Sequence, residues 1–293
     1  MIKRSHILSG VGILTSSILL ASISQTATAS ESGQGESIAL DSIVRSYVTT
    51  GDDPSIPKEA SRTVGFDAVT SDNADVYVIP LSYGMPIGLL GGEEFINFSA
   101  DLAYVNLEGP AGDESGIGDT RIGAEYFIEK EGIIFKGAFD LKLPTGDEDV
   151  GLGLGSTDLG FAVSGRKRDG DIGFNATVGY ILRGDAKPNG VDVDYGNVLN
   201  LVGGGEYRVK PALWVGTNLA FVHSGTSEFN GGAEGDGLQT IDLIPNASYR
   251  LNTDMTVTLD VIIPVHESVV EGDFPASDPD REMSISFGFS SEF

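Results

Sequence analysis

The chain has 293 residues, 40% of them hydrophobic, with 40 Gly, 12 Pro, no Cys and a formal charge of −25. That acidity excludes nucleic acid as a partner, because neutralising phosphates needs a basic surface. The absence of cysteine excludes both a disulfide framework and a lipid-anchored N-terminus, so strand pairing and packing must hold the fold together.

In chain order, Lys3 and Arg4 precede an apolar stretch from Ile7 to Ala21, and Ala27-Thr28-Ala29 supplies the small residues a signal peptidase accepts. Residues 1–29 therefore read as a signal peptide. Its removal takes two cations with it and leaves 264 of the 293 residues at a charge of −27. Residues 30–61 form an N-terminal segment that contains the first strand, serves as a periplasmic plug, joins the first external loop or stays disordered; the sequence leaves these open. Residues 62–293 are expected to build the membrane domain. Beyond the signal no run approaches the ~20 consecutive apolar residues a spanning helix needs, so a chain that crosses a bilayer must do so as a closed barrel.

Alternating segments of the ~10-residue length that crosses a bilayer at a tilt occur at 75–87, 95–107, 118–128, 133–145, 157–166, 171–184, 197–208, 213–225, 238–250, 255–268 and 282–293. Eleven strands would be an odd count, unusual for a bacterial single-chain barrel. The links resolve the parity. Short ones (88–94, 129–132, 167–170, 209–212, 251–254) alternate with long, acidic, Gly-rich ones (108–117, 146–156, 185–196, 226–237, 269–281), as periplasmic turns and external loops should. With the C-terminus in the periplasm, segment 75–87 runs downward and needs an upward strand before it, for which Ser37–Thr49 and Arg62–Thr70 are the candidates. The expected fold is all-β: a single antiparallel transmembrane β-barrel of about twelve strands, of bacterial outer-membrane type.

Within strands the period of two assigns faces. Phe135, Phe139, Leu141 and Leu143 share one face, and Lys136, Asp140 and Lys142 the other. Ile122, Ala124, Tyr126 and Ile128 fall outward and Arg121 and Glu125 inward, with Arg183, Glu206, Arg208, Asp242, Asn246 and Arg250 also on inward positions. A charge on the lipid face costs roughly 2–4 kcal/mol at the midplane, so the sorting implies a charged interior. Tyr126, Tyr207 and Tyr249 face outward near periplasmic ends, where an aromatic girdle belongs. The last strand puts Met283, Ile285, Phe287, Phe289 and the terminal Phe293 on one face. This resembles the closing strand through which the barrel-assembly machinery engages outer-membrane proteins.

Three motifs in the central region carry a family resemblance. They are Gly116-Ile117-Gly118-Asp119-Thr120-Arg121-Ile122-Gly123-Ala124-Glu125-Tyr126, then Leu141-Lys142-Leu143-Pro144-Thr145-Gly146-Asp147, then Gly155-Ser156-Thr157-Asp158-Leu159-Gly160, followed by Gly179-Tyr180. Together they resemble the outer-membrane β-barrel transporter family linked to phenol meta-cleavage pathways. The resemblance covers residues 75–185 and implies an outer-membrane barrel admitting aromatic or other small hydrophobic compounds, loosely akin to long-chain fatty-acid channels. It supplies no catalytic residues.

Arg121, Glu125, Lys136, Asp140, Lys142, Arg183, Glu206, Arg208 and Asp242 are the candidates for lining the lumen, as a structural ion network or as a selectivity constriction. Asp119, Thr145, Asp147 and Asp158 are candidates for the external rim, where such residues also cap turns. No catalytic constellation, resident metal or cofactor is expected. His266-Glu267-Ser268 has the spacing seen in outer-membrane lipid A deacylases, but alternation with Val261, Ile263 and Val265 turns His266 and Ser268 inward, and Val269-Val270 stands where Asn-Ala would follow. His223 and Ser224 point to opposite faces. Asp147-Glu148-Asp149 and the acidic run from Asp273 to Asp280 lack the ligand spacing of a calcium loop and would hold divalent ions only loosely.

The function expected is a passive route across the outer membrane for small hydrophobic or aromatic compounds, without chemistry of its own. The expected partners are outer-membrane lipid and lipopolysaccharide, the barrel-assembly machinery and a small solute. The alternative is a closed structural or adhesive barrel acting through its acidic external loops.

Overall fold

The computed structural model describes residues 60–71, 74–87, 93–107, 114–149, 152–235, 237–270 and 283–292. The expected signal peptide 1–29, most of the N-terminal segment including the candidate strand Ser37–Thr49, the acidic run 273–280 and Phe293 lie outside the described residues.

Twelve long antiparallel strands follow one another: β1 Ser61–Ser71, β2 Ala74–Ile87, β3 Glu93–Leu107, β4 Thr120–Lys130, β5 Ile133–Leu143, β6 Asp158–Asp169, β7 Ile172–Leu182, β8 Val198–Lys210, β9 Leu213–Ser224, β10 Gly237–Arg250, β11 Met255–Val270 and β12 Ser284–Glu292. Each pairs with its sequence neighbours, and β1 pairs with both β2 and β12, with Asp67 opposite Val78 on one side and Gly288 on the other. The sheet thus closes on itself and has no free edge. Among the described residues no helix is long and apolar enough to cross a membrane; this chain crosses with strands.

The first strand is the second of the two candidate segments. Its external link to β2 is only residues 72–73, with Ser71 directly opposite Ala74, so the long external loops begin one hairpin later. Periplasmic turns are tight: Glu131 and Gly132 both take positive φ, 56° and 72°, as a two-residue hairpin with matching twist requires.

Two external loops fold into structure the strand pattern did not announce. Short strands at Asp185–Ala186 and Val193–Asp194 join Ser227–Phe229 and Ala233–Gly235 in a separate four-stranded sheet above the barrel. A further short strand, Glu114–Ile117, extends the rim beside β3.

The two faces of the wall sort by chemistry. Phe66, Phe98, Phe135, Phe139, Phe161, Leu102, Val163, Phe174, Leu219 and Phe287 stand exposed on the outside, an apolar belt that only a lipid surround tolerates. The girdle tyrosines Tyr207 and Tyr249 are outward and exposed, and Tyr126 is outward and half-buried. Most inward-facing side chains between the two mouths are withdrawn from water.

Candidate functional site

The inward register of β3 to β6 builds a charged wall. Arg121 Nη1 donates to Asp140 Oδ1 at 3.0 Å, and Asp101 sits across from Arg121 on β3. One turn of the pleat lower, Lys136 Nζ reaches Glu125 Oε1 at 3.0 Å while Asn97 Nδ2 donates to Glu125 Oε2 at 3.1 Å. Asp140 lies across Gly160: a Cβ there would stand 2.1 Å from Asp140 Oδ2, so the glycine leaves the space the carboxylate occupies.

At the external end Lys142 is fully buried and holds three partners: Asp158 Oδ2 at 2.9 Å, Asp119 Oδ2 at 3.3 Å and Ser156 Oγ at 3.0 Å. Ser156 Oγ in turn donates to Asp158 Oδ1 at 2.8 Å. Asp119 accepts backbone N–H bonds from Gly146 at 3.1 Å and Leu154 at 2.9 Å, which draws the loop between β5 and β6 into the mouth. Leu152 of that loop packs among the lumen-facing Val76, Val78, Ala103 and Val105. Thr145 fixes the loop's start, its hydroxyl donating to Gly118 O at 2.9 Å and accepting from Thr120 N at 2.8 Å.

The wall from β7 to β11 is different. Ile181, Val198, Val202, Ala220, Val222, Leu238, Ile244 and Ile262 form one apolar cluster facing the lumen. Asp242 is buried within this stretch, with Thr240 Oγ1 3.5 Å from its Oδ2. Asn200 is fully buried here, and among the described residues neither its Oδ1 nor its Nδ2 has a hydrogen-bond partner. An unpaired buried polar group costs about 1–3 kcal/mol, so this amide is held against stability.

The periplasmic end carries a second ionic cluster. Glu206 Oε1 accepts from Arg166 Nη2 at 2.6 Å and Arg168 Nη2 at 2.9 Å. The Arg168 guanidinium stacks 3.7 Å above the buried Trp214 ring, and Arg208 approaches the same ring at 5.3 Å.

Of the lumen candidates, Arg121, Glu125, Lys136, Asp140 and Lys142 come together on the charged wall in three ion clusters, Arg121–Asp140, Glu125–Lys136 and Lys142 with Asp119 and Asp158, and Asp242 sits on the opposite wall. Glu206 belongs to the periplasmic cluster. Arg208 is exposed at the periplasmic mouth, bound to Asp171 at 2.7 Å. Arg183 lies just past the end of β7, half-buried, its guanidinium 5.9 Å from the Tyr195 ring. Asp119 and Asp158 turn inward to Lys142. Asp147 stays exposed and caps its own loop through Asp149 N at 3.1 Å.

Arg166, Arg168, Trp214 and Asn200 were not singled out from sequence. β6 runs on to Asp169, which extends the inward phase through Arg166 and Arg168. The lone Asn in Val198-Leu199-Asn200-Leu201-Val202 was a readable signal.

His266 and Ser268 require a correction. A β-bulge between the Ile241–His266 and Asp242–Pro264 pairs shifts the phase of β11 by one residue, so His266 is exposed on the outer face and Ser268 stands opposite Gln239. Gln239 Nε2 lies 3.1 Å from His223 Nδ1.

A profile of the family described as "Putative MetA-pathway of phenol degradation" matches residues 51–268. Among solved structures, an outer membrane channel from Pseudomonas putida F1 is similar at 18% identity with a TM-score of 0.69, over 84% of this chain and 100% of that one. The NanC porin is similar at 13% identity and a TM-score of 0.46, over 78% of this chain and 98% of that one. The KdgM porin follows at 11% and 0.44, over 79% and 99%. No curated protein sequence matches the chain. The fold is that of a porin-like barrel of the bacterial outer membrane, surrounded by its lipid.

Proposed function

The match over residues 51–268 makes the chain a member of this phenol-degradation family, and from that premise we propose that it is a narrow, passive route across the outer membrane for small hydrophobic or aromatic compounds. The observation that carries this is the two-sided lumen. An apolar wall from Val198 to Ile262 faces the same interior as the Arg121–Asp140 and Glu125–Lys136 pairs. Side chains lining a wide aqueous bore would be wet, and these are withdrawn from water; a solute with an apolar body suits such a path better than a sugar does. Lumen-lining selectivity falls to Arg121, Glu125, Lys136, Asp140, Lys142, Glu206 and Asp242, and the external threshold to Asp119, Thr145, Asp158 and the inward-folded loop they anchor. Export follows from the signal peptide 1–29, and assembly from the C-terminal strand. We read the outward His266 and Ser268 as part of the barrel's outer face, and the chain as working without chemistry of its own.

A closed structural or adhesive barrel is the second reading, favoured by the buried Lys142 network and by the four-stranded external sheet. Uptake by vesicles containing the refolded mature chain separates the two. Benzoate entering faster than in protein-free vesicles, with little entry of a similar-sized sugar, is the expected result. Equal leakage of both would make the protein a general pore, and entry of neither through a correctly folded barrel would favour the structural role.

A further inference from the structure

We propose that Asn200 is the recognition point on the apolar wall for the hydroxyl of a phenol-type solute, a molecule with a flat apolar body and one group that both gives and accepts a hydrogen bond. The proposal rests on the transport function above and names the chemistry that function selects.

The register puts Asn200 opposite Gly179 on β7 and Val222 on β9, with Val198 and Val202 next on its own inward face. A Cβ at position 179 would stand 2.4 Å from Asn200 Oδ1; the bare glycine is what lets the amide lie against the wall. Other inward asparagines are bonded. Asn97 donates to Glu125, Asn175 donates to Asn218, and Asn246 donates to the Ile244 carbonyl. Asn200 alone among these presents a free donor and a free acceptor, and it does so inside an apolar cluster. A donor and an acceptor left unpaired in apolar surroundings favour a ligand that brings one complementary group and is otherwise apolar. A hydrocarbon leaves the amide unpaired as before. A sugar brings hydroxyls that Val198, Val202 and Val222 cannot satisfy, and a carboxylate meets no cation in this cluster. A phenol hydroxyl donates to Oδ1 or accepts from Nδ2 while its ring packs on the valines.

The test uses the full mature chain with its asparagines 15N-labelled, refolded in detergent micelles. The Asn200 side-chain NH2 pair is assigned by its disappearance in Asn200→Leu, or in Asn200→Ala if leucine overfills the space above Gly179. Titration with phenol is expected to shift that pair saturably, while toluene at equal concentration shifts it at least tenfold less. Asn200→Leu is expected to resist urea at least as well as the parent, since it removes two unpaired groups. An Asn200 pair that phenol leaves unmoved, or that toluene moves as far, overturns the proposal, as does a marked loss of stability in both variants. Benzoate entry into vesicles carrying the parent chain separates this outcome from the transport function. Entry with a silent Asn200 removes the site and keeps the channel, whereas a saturable phenol shift without entry keeps the site within a closed barrel.

Discussion

The two walls of the barrel solve the same problem by opposite means. From β3 to β6 the interior is filled by charges that satisfy one another across adjacent strands: Arg121 with Asp140, Lys136 with Glu125, Lys142 with Asp119 and Asp158. From β7 to β11 it is filled chiefly by valine, isoleucine and alanine. A buried ion pair gains little net stability over a well-packed apolar pair and loses much when one partner goes. The charged wall is therefore brittle and the apolar wall forgiving. The contrast teaches that a lumen can be narrow without being uniform, so a solute can slide on one side and be oriented by fields from the other.

The contrast breaks first at Lys142. Lys142→Met leaves Asp119 and Asp158 buried without their cation and is expected to cost about 3–5 kcal/mol, read as the urea midpoint of the refolded barrel and as loss of heat-modifiable migration in gels. On the apolar wall Ile262→Ala removes packing only, for an expected loss of about 2–4 kcal/mol by the same titration; a loss larger than that of Lys142→Met would invert the comparison. Replacing both members of a pair sharpens it. Glu125→Leu with Lys136→Met should stay within about 1 kcal/mol of the parent while Glu125→Leu alone falls well below it, a difference that a double-mutant cycle measures directly. Asp147→Ala touches neither wall and is expected to change stability by less than about 0.5 kcal/mol, with benzoate entry as a check that the loop still folds inward.

The faces of the strands were legible because burial on one side and lipid on the other force a strict period of two. Phe135 and Phe139 stand outside and Lys136 and Lys142 inside, as the alternation demands. Strand number was legible through parity, since a barrel with its C-terminus in the periplasm needs an upward strand before β2, and Ser61–Ser71 supplies it. What failed to show were departures from the period and contacts between distant loops. The bulge that precedes His266 inserts one residue and inverts every face assignment after it, and Pro264 beside it, which gives the ladder no donor, is the mark it leaves in the sequence. The external sheet joins residues near 185–194 to residues near 227–235, a pairing between two loops that neither loop's sequence specifies alone. Asp119 and Asp158 read as turn residues at the rim; their joint hold on Lys142 depends on the loop from Pro144 to Thr157 folding back into the mouth.

The stacking of Arg168 and Arg208 on Trp214 has an optical consequence. The chain carries a single tryptophan, so its fluorescence is the emission of this one buried indole lodged between guanidinium groups at the periplasmic mouth. During refolding, the spectrum reports when that mouth closes and is blind to every other part of the barrel. Brominated lipid tails, confined to the outside of the wall, should leave the finished barrel bright while dimming any chain whose ninth strand has inserted facing the wrong way.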